Sequence, residues 1–479
     1  MARTVTLLCL LGLAAVVAGD RVYVHPFHFL TNDPERCAKP SDPAAEAPTG
    51  ETFVPVPIQA KTSPMDEVAL WERVTAEVRS LGPEGRERAT SVAALLNFLG
   101  FRLRRALRAL RDGHGEAHQG ELLAPAAIFG SLASLHLGAS GTTASDLQAL
   151  LGVPQEDGGC TTQLDGEKVL AVLRAVMGLF LAGEAGGVRA GDPHLRLSTL
   201  VGLFTSPGLR LCEAFFQSLQ PAAAITYARS LDLATDPGLA AERVDRFVGA
   251  VSGWPRRLSP TPSCPDDTLL FNTYIRFQAA IGGASRLAQP QAFQVNRTSH
   301  ELVPTLSVTG TFQYWRDDAN NFTVVRVPLG ANARLLLVQP DPGTAPEQVE
   351  AQLWTSDFPL WLNRLEPRAV HLTLPRLTME SAVNLQDLLA LSKLPHLLDR
   401  KANFSAISED DVRLGKVMNK ILFELTESGA EAPEEPTQAP VGSEPLEVTL
   451  NRPFLLAVYE QVTKALLFLG RATDPLRGV

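Results

Sequence analysis

The chain is poor in the residues that build metal centres and nucleophilic active sites. Its 479 residues include five cysteines and nine histidines. No CxxC pair or Cys/His cluster has metal-ligand spacing, so neither a metal nor a cofactor is expected. GxSxG, Walker A and HExxH patterns are absent, which removes the usual signatures of an α/β-hydrolase, a nucleotide-binding enzyme and a zinc protease. Positive charge is not in excess either: the formal net charge of −9 argues against nucleic acid or a general polyanion as partner. Beyond the leader no apolar run is long enough to span a membrane.

What is present begins with that leader. Residues 1–19 carry one positive charge, Arg3, and then an apolar run that ends in Ala18 and Gly19. At roughly 15 residues the run is shorter than the roughly 20 of a membrane helix, and the pattern is that of a signal peptide cut between Gly19 and Asp20. The chain is therefore expected to be secreted and extracellular. Cys9 leaves with the leader. Cys37, Cys160, Cys212 and Cys264 remain, an even number in an oxidising compartment, and composition does not choose among their pairings. Asn296-Arg-Thr, Asn321-Phe-Thr and Asn403-Phe-Ser are N-glycosylation acceptors that suit the same compartment.

Patterning along the chain is mixed. Residues 31–57 are rich in Pro, Ala, Asp, Glu and Thr without a sustained period, which predicts a flexible arm or linker. Helical spacing runs from about Met65 to about Arg111, with a break at LGPEG. PAAIFGSLASLHLG (125–138) is apolar or small on every face, as in a helix buried all round, and a helix resumes from Asp146 to Leu151 after a break at Ser140-Gly-Thr-Thr. His136 on the buried helix is read as a core residue. GEAGGVRAGDP (183–193) reads as a surface loop. Strand-like runs then dominate: LSTLVGLFT, TLLFNTYIRFQAAI, FTVVRVPL, ARLLLVQP and AVHLTLPRLT, with helical runs between them. That mixture, without βαβ alternation, indicates an α+β fold. NRPFLLAVY and ALLFLGRATDP form a buried hairpin at the end. Residues 427–447 interrupt the pattern, being dense in Pro and Glu with no aromatic residue. They are expected to form an exposed, mobile loop. FRLRRALRALR (101–111) reads as a helix with Phe101, Leu103, Leu107 and Leu110 inward and its arginines outward, a solvated face before a polyanion site.

IFGSLASLHLGASGTTASDLQALLGV, VHLTLPRLTMESAVNLQDLLALSKL, FSAISEDDVRLGKVMNKILFEL and NRPFLLAVYEQVTKALLFLGRATDP occur in the order found in serpins. The chain resembles that family over nearly all of residues 60 to 475. The resemblance implies a single serpin domain over 58–479, with three β-sheets and about nine helices, although length alone suggests two or three domains. It also makes 427–447 the equivalent of the reactive loop and pairs Cys37 with Cys160. Most serpins inhibit proteases by inserting the cleaved loop as a central strand, which requires small residues in its first part. Here that part holds Pro433, Glu434, Glu435 and Pro436. Because side chains alternate across a strand, insertion buries Glu434 or Glu435 whichever parity holds. An unpaired buried carboxylate costs several kcal/mol, and the prolines remove ladder donors. The expectation is a non-inhibitory serpin, with a serine-protease inhibitor as the alternative.

Residues 20–30, DRVYVHPFHFL, follow the leader. Asp20, Arg21, Tyr23, His25 and Phe27 offer both charges, a phenol, an imidazole and an aromatic ring, while Pro26 biases His25 toward an extended backbone. Asp20, Arg21, Val22, Tyr23, Val24, His25, Pro26 and Phe27 resemble, at all eight positions, the vasoactive octapeptide carried by one prohormone branch of the serpins. The resemblance implies renin, an aspartic protease, as partner. It implies a decapeptide Asp20–Phe29, a converting dipeptidase that removes His28-Phe29 after Phe27, and cell-surface receptors for the octapeptide. Where that branch commonly has His-Leu, this chain has His28-Phe29-Leu30. The cut therefore falls at Phe29–Leu30 or at Leu30–Thr31. Aspartic proteases favour large apolar residues on both sides, which Phe29–Leu30 supplies. No residue of the chain is assigned a catalytic role, so the protein is expected not to be an enzyme. By the same resemblance, the Cys37–Cys160 bond tethers the arm to the serpin body.

Overall fold

The computed structural model describes residues 28–37, 50–79, 81–114, 122–153, 159–182, 195–220, 224–254, 264–295, 298–353, 358–391, 394, 397–428 and 444–475. The leader, the Gly19–Asp20 bond, the octapeptide Asp20–Phe27, Asn296, the loop read at 183–193 and most of the reactive-loop equivalent (429–443) lie outside these residues.

The principal helices are α1 (Glu67–Arg79), α2 (Pro83–His114), α3 (Pro125–Gly138), α4 (Gly141–Leu150), α5 (Gly166–Leu181), α6 (Pro237–Ser252), α7 (Pro346–Leu353) and α8 (Leu385–Leu391). The strands of the two large sheets are β1 (Leu195–Thr205), β2 (Ile225–Ser230), β3 (Leu269–Ile281), β4 (Thr305–Asp317), β5 (Phe322–Pro328) and β6 (Ala333–Pro340). They continue with β7 (Glu366–Pro375), β8 (Leu377–Asn384), β9 (Leu414–Glu427), β10 (Leu446–Thr449), β11 (Phe454–Glu460) and β12 (Leu466–Ala472).

Local sequence explains most of the boundaries. Pro83, Pro125 and Pro237 stand at the first turns of α2, α3 and α6, where a missing N–H costs nothing. Asp165 caps α5 by accepting from the Lys168 amide, and Asp236 caps α6 by accepting from Leu239 at 2.9 Å. Gly253 ends α6 at φ 64°, a left-handed conformation that glycine adopts without strain. In α1, Leu70, Val74 and Val78 make a buried stripe spaced four residues apart. Gly178 lets α5 approach that stripe closely: a Cβ there would sit 2.2 Å from Val78 Cγ2. The second helix of the 125–154 stretch begins at Gly141 rather than Asp146, with Ser140 extended at the N-cap and the buried Thr143 of the first turn accepting from the Asn403 amide at 2.9 Å.

One large sheet has the order β8-β9-β3-β1-β2. At its centre β9 and β3 run parallel and pair from Leu414–Leu269 to Glu427–Ile281. The seam that an inserted loop would occupy is closed along this length. Phe277 of β3, Phe423 of β9 and Phe468 of β12 form an aromatic cluster behind the seam, the first two stacked with ring centroids 4.8 Å apart. The second large sheet has nine strands. The long β4 changes partner along its length, pairing with β7 from Thr305 to Tyr314 and with β5 from Gln313 to Asp317. Two of the three expected sheets are thus one continuous ladder joined through β4. The terminal hairpin β11–β12 is buried at every position, as its two apolar runs predict.

Three sequence readings change here. Arg104 does not face solvent with its neighbours: it is 3% exposed and pairs with Glu350 of α7, itself 3% exposed. The inner face of α2 is wide enough that a residue adjacent to Leu103 is also enclosed, and a carboxylate awaits it there. Phe101 and Leu103 are buried and Leu107 half-buried, whereas the side chain of Leu110 lies outside the described residues. Second, the 31–57 stretch makes contacts that its composition did not reveal. Residues 31–37 are held to the body, and Thr52–Phe53 pairs with Leu211–Cys212. Third, the carboxyl end of the 427–447 segment is not all loop, since β10 pairs parallel with β7 from Leu446–Val370 to Thr449–Thr373.

Candidate proteolytic cleavage site

His28-Phe29-Leu30 forms a single 3-10 turn, followed by a bridge from Thr31 to Leu164 and a short helix Pro34–Cys37. The apolar residues of this arm are drawn to the main core. Leu30 has no exposed surface and joins the core cluster, and Phe29 packs half-buried against the same cluster. The Arg88 guanidinium of α2 lies 6.0 Å from the Phe29 ring centroid, within cation–π range.

The backbone is tied down in register. Leu30 O accepts from the Asp165 amide at 2.8 Å, and the Asn32 amide donates to Gln163 O at 3.0 Å. Asn32 Nδ2 adds a bond to Cys160 O at 3.3 Å. Lys168, one turn into α5, donates through Nζ to Thr31 O at 2.9 Å and pairs with Asp33 at 2.8 Å. Gln148 of α4 supports the opposite strip: its Nε2 donates to Thr162 O, and its Oε1 accepts from the Leu164 amide. A Cys37–Cys160 disulfide, Cα atoms 5.7 Å apart, closes the attachment beyond these contacts. Cys212 is a buried free thiol, which burial pushes up in pKa, and Cys264 is free and half-buried.

This geometry hides the candidate bond. A protease reads an extended strand laid along its cleft. Here Phe29–Leu30 lies in a tight turn and Leu30–Thr31 joins that turn to the Thr31 bridge, with the Leu30 side chain, common to both bonds, in the core. Exposing Leu30 costs roughly 1.5–3 kcal/mol, and each released backbone bond about 0.5–1.5 kcal/mol more. Cutting therefore requires residues 28–33 to lift off the 160–168 strip first. Sequence reasoning found Phe29, Leu30 and the two cysteines but missed Arg88, Gln148, Asp165 and Lys168. An N-cap signal was legible at Asp165-Gly-Glu-Lys168, but nothing local announced that an arm more than a hundred residues upstream would dock there.

His136, read as a core residue, is partly buried on α3 rather than fully enclosed. Burial lowers its pKa to about 4, partly opposed by Asp165, and its Nδ1 has no hydrogen-bond partner. Asn321 is exposed in the turn between β4 and β5 at φ 56°, and Asn403 is exposed with its Oδ1 accepting from the Ser405 amide, so both side chains are open to a glycan.

A family model described as serpin (serine protease inhibitor) matches residues 95–475. Angiotensinogen of Bos taurus is 48% identical over 470 residues, covering 98% of this chain and 97% of the relative. Angiotensinogen of Homo sapiens is 45% identical over 471 residues, with the same coverage of each. The chain belongs to the angiotensinogen branch of the serpins. Among solved structures, uncleaved ovalbumin superposes on this serpin with a TM-score of 0.66 at 20% identity, covering 80% of this chain and 100% of that one. That likeness speaks for the serpin fold alone. No helix among the described residues is long and apolar enough to cross a membrane.

Proposed function

We propose that this serpin is a secreted prohormone whose amino-terminal arm is the substrate of renin. The leader leaves between Gly19 and Asp20. Cleavage at Phe29–Leu30 frees the angiotensin I-like decapeptide Asp20–Phe29. A converting dipeptidase then removes His28-Phe29, and the octapeptide Asp20–Phe27 acts on cell-surface angiotensin receptors to regulate blood pressure and salt balance. The protein itself is not an enzyme: the chemistry of the cut belongs to the catalytic carboxylates of its partner. Asn296, Asn321 and Asn403 carry glycans in the extracellular compartment.

One observation carries this reading. An eight-residue match to angiotensin stands at the head of a chain 45–48% identical to angiotensinogens along 98% of its length. The tether supports it: the bond flanked by Phe29 and Leu30 lies within the docked arm, ahead of a disulfide that keeps the rest of the arm on the body after the peptide has left. The test is incubation with renin and, separately, with several serine proteases. Peptide release without covalent complexes is the expected result. A stable covalent complex with a serine protease would favour an inhibitor instead.

A further inference from the structure

The chain from Pro55 to Met65 runs beside the edge strand β2 and under α6. The Ile58 amide donates to Ser230 O at 2.9 Å, the Ser230 amide to Val56 O at 3.0 Å, and the Met65 amide to Val251 O at 2.7 Å. Between this strap and α6 lies an open cleft of about 440 Å³. Ile58, Phe247 and Val251, all less than a tenth exposed, supply its apolar floor. Arg243 and Arg246, one turn apart on α6, stand at its rim.

A third guanidinium is set into the same wall. Arg229 of β2 donates to Thr62 Oγ1 at 2.8 Å and to Ala228 O at 2.6 Å. Its charge sits 5.3 Å from the centroid of Phe247 and 5.7 Å from that of Tyr227. Its Nε is buried with no hydrogen-bond partner, and burial lowers its pKa. Among the described residues none of Arg229, Arg243 and Arg246 forms an ion pair. Asp232, held ionised by hydrogen bonds from the Ala234 and Thr235 amides, attracts Arg243 without forming an ion pair with it. Arg229 and Arg243 are half-buried and Arg246 is exposed, and a set of guanidinium groups beside one apolar cleft is an arrangement that an anion relieves, most of all for the desolvated Arg229.

We infer that the cleft between the 55–65 strap and α6 is a binding site for an amphipathic organic anion, an apolar body bearing one carboxylate or sulfonate. The body lies on Ile58, Phe247 and Val251, and the anionic head meets Arg243 and Arg246 at the rim. The cleft volume falls within the range of small-molecule sites. The site is remote in sequence from the docked arm and does not depend on the prohormone reading.

The test is fluorescence titration of the full chain with 8-anilinonaphthalene-1-sulfonate, with dodecanoate and inorganic sulfate as competitors. One saturable site is expected, displaced by dodecanoate and not by sulfate at equal concentration. Arg243→Ala/Arg246→Ala should weaken it by about tenfold or more, from the loss of two charge-assisted hydrogen bonds. Ala250→Trp, at an exposed position lining the cleft, should abolish binding without removing charge. Arg105→Ala, an exposed arginine of α2, should leave binding unchanged. Unaltered affinity in the double variant, binding that survives Ala250→Trp, or equal displacement by sulfate would overturn the assignment. Melting curves of the variants matching the parent keep the comparison about the cleft.

Discussion

The carbonyl oxygen of Leu30 accepts a hydrogen bond from the amide of Asp165 at 2.8 Å. The residue on the far side of the proposed scissile bond is thereby fixed to the N-cap of α5, and its side chain is lost to solvent. Release of the peptide then depends on two events, undocking and chemistry, and only the second belongs to the protease. The docked contacts sum to a few kcal/mol, which holds the lifted state to roughly a per cent or less of molecules.

Lys168 is the side chain whose removal should loosen the arm most cleanly. It contacts Thr31 O and Asp33 but contributes little to the body's core. Asp33 is 67% exposed at its side chain, so the pair is worth about 1 kcal/mol or less. Lys168→Met should raise kcat/KM for decapeptide release by about fivefold, the factor that 1 kcal/mol provides. Faster amide exchange at residues 30–33 should accompany it. An unchanged rate would mean that undocking does not limit the reaction.

The Cys37–Cys160 bond restricts where the lifted arm can go. Cys37→Ser should change the rate of cleavage by renin by more than roughly twofold. A reduced protein and the variant should behave alike, because both lose the same tether. Equal rates for the oxidised protein and the variant would show that the tether is irrelevant to capture.

Arg104 and Glu350 form a buried ion pair between α2 and α7. Breaking such a pair strands one charge and costs about 3–5 kcal/mol, whereas replacing both by apolar groups is often neutral. Glu350→Gln should lower the urea midpoint clearly, and Arg104→Met/Glu350→Leu should recover most of the loss.

His136 supplies a pH dependence of stability. Its folded pKa of about 4 lies below the ordinary 6.5 because burial disfavours the cation. Between those values the unfolded chain binds more protons than the folded one, so stability is full above about pH 6.5 and falls as pH is lowered toward 4. From pH 7 to pH 5 the loss is at most about 2 kcal/mol. His136→Gln should remove it, seen as a smaller shift of the urea midpoint over that interval.

Much of the fold was legible because it rests on local pattern. The 67–114 helices, the all-round burial of α3 and the terminal hairpin follow from apolar spacing that tertiary structure did not override. Arg104 was misread because helical periodicity gives a face, not its width, and a carboxylate 246 residues away cannot be anticipated from spacing. The joining of two sheets through β4 was equally hidden, since a strand's partners are non-local. At the candidate site the apolar pair Phe29–Leu30 was visible, but its burial was not. Composition made residues 31–57 look unattached, and the hydrogen bonds with Gln163 and Asp165 that hold Leu30 and Asn32 come from a segment whose one local signal, the N-cap at Asp165, says nothing about a docked arm.

The most direct measurement is the mass of the peptide that renin releases from the full chain. Cleavage at Phe29–Leu30 predicts the decapeptide Asp20–Phe29 as the sole early product. An early product ending at Leu30 would move the scissile bond to Leu30–Thr31, and absence of any peptide beginning at Asp20 would contradict the prohormone account.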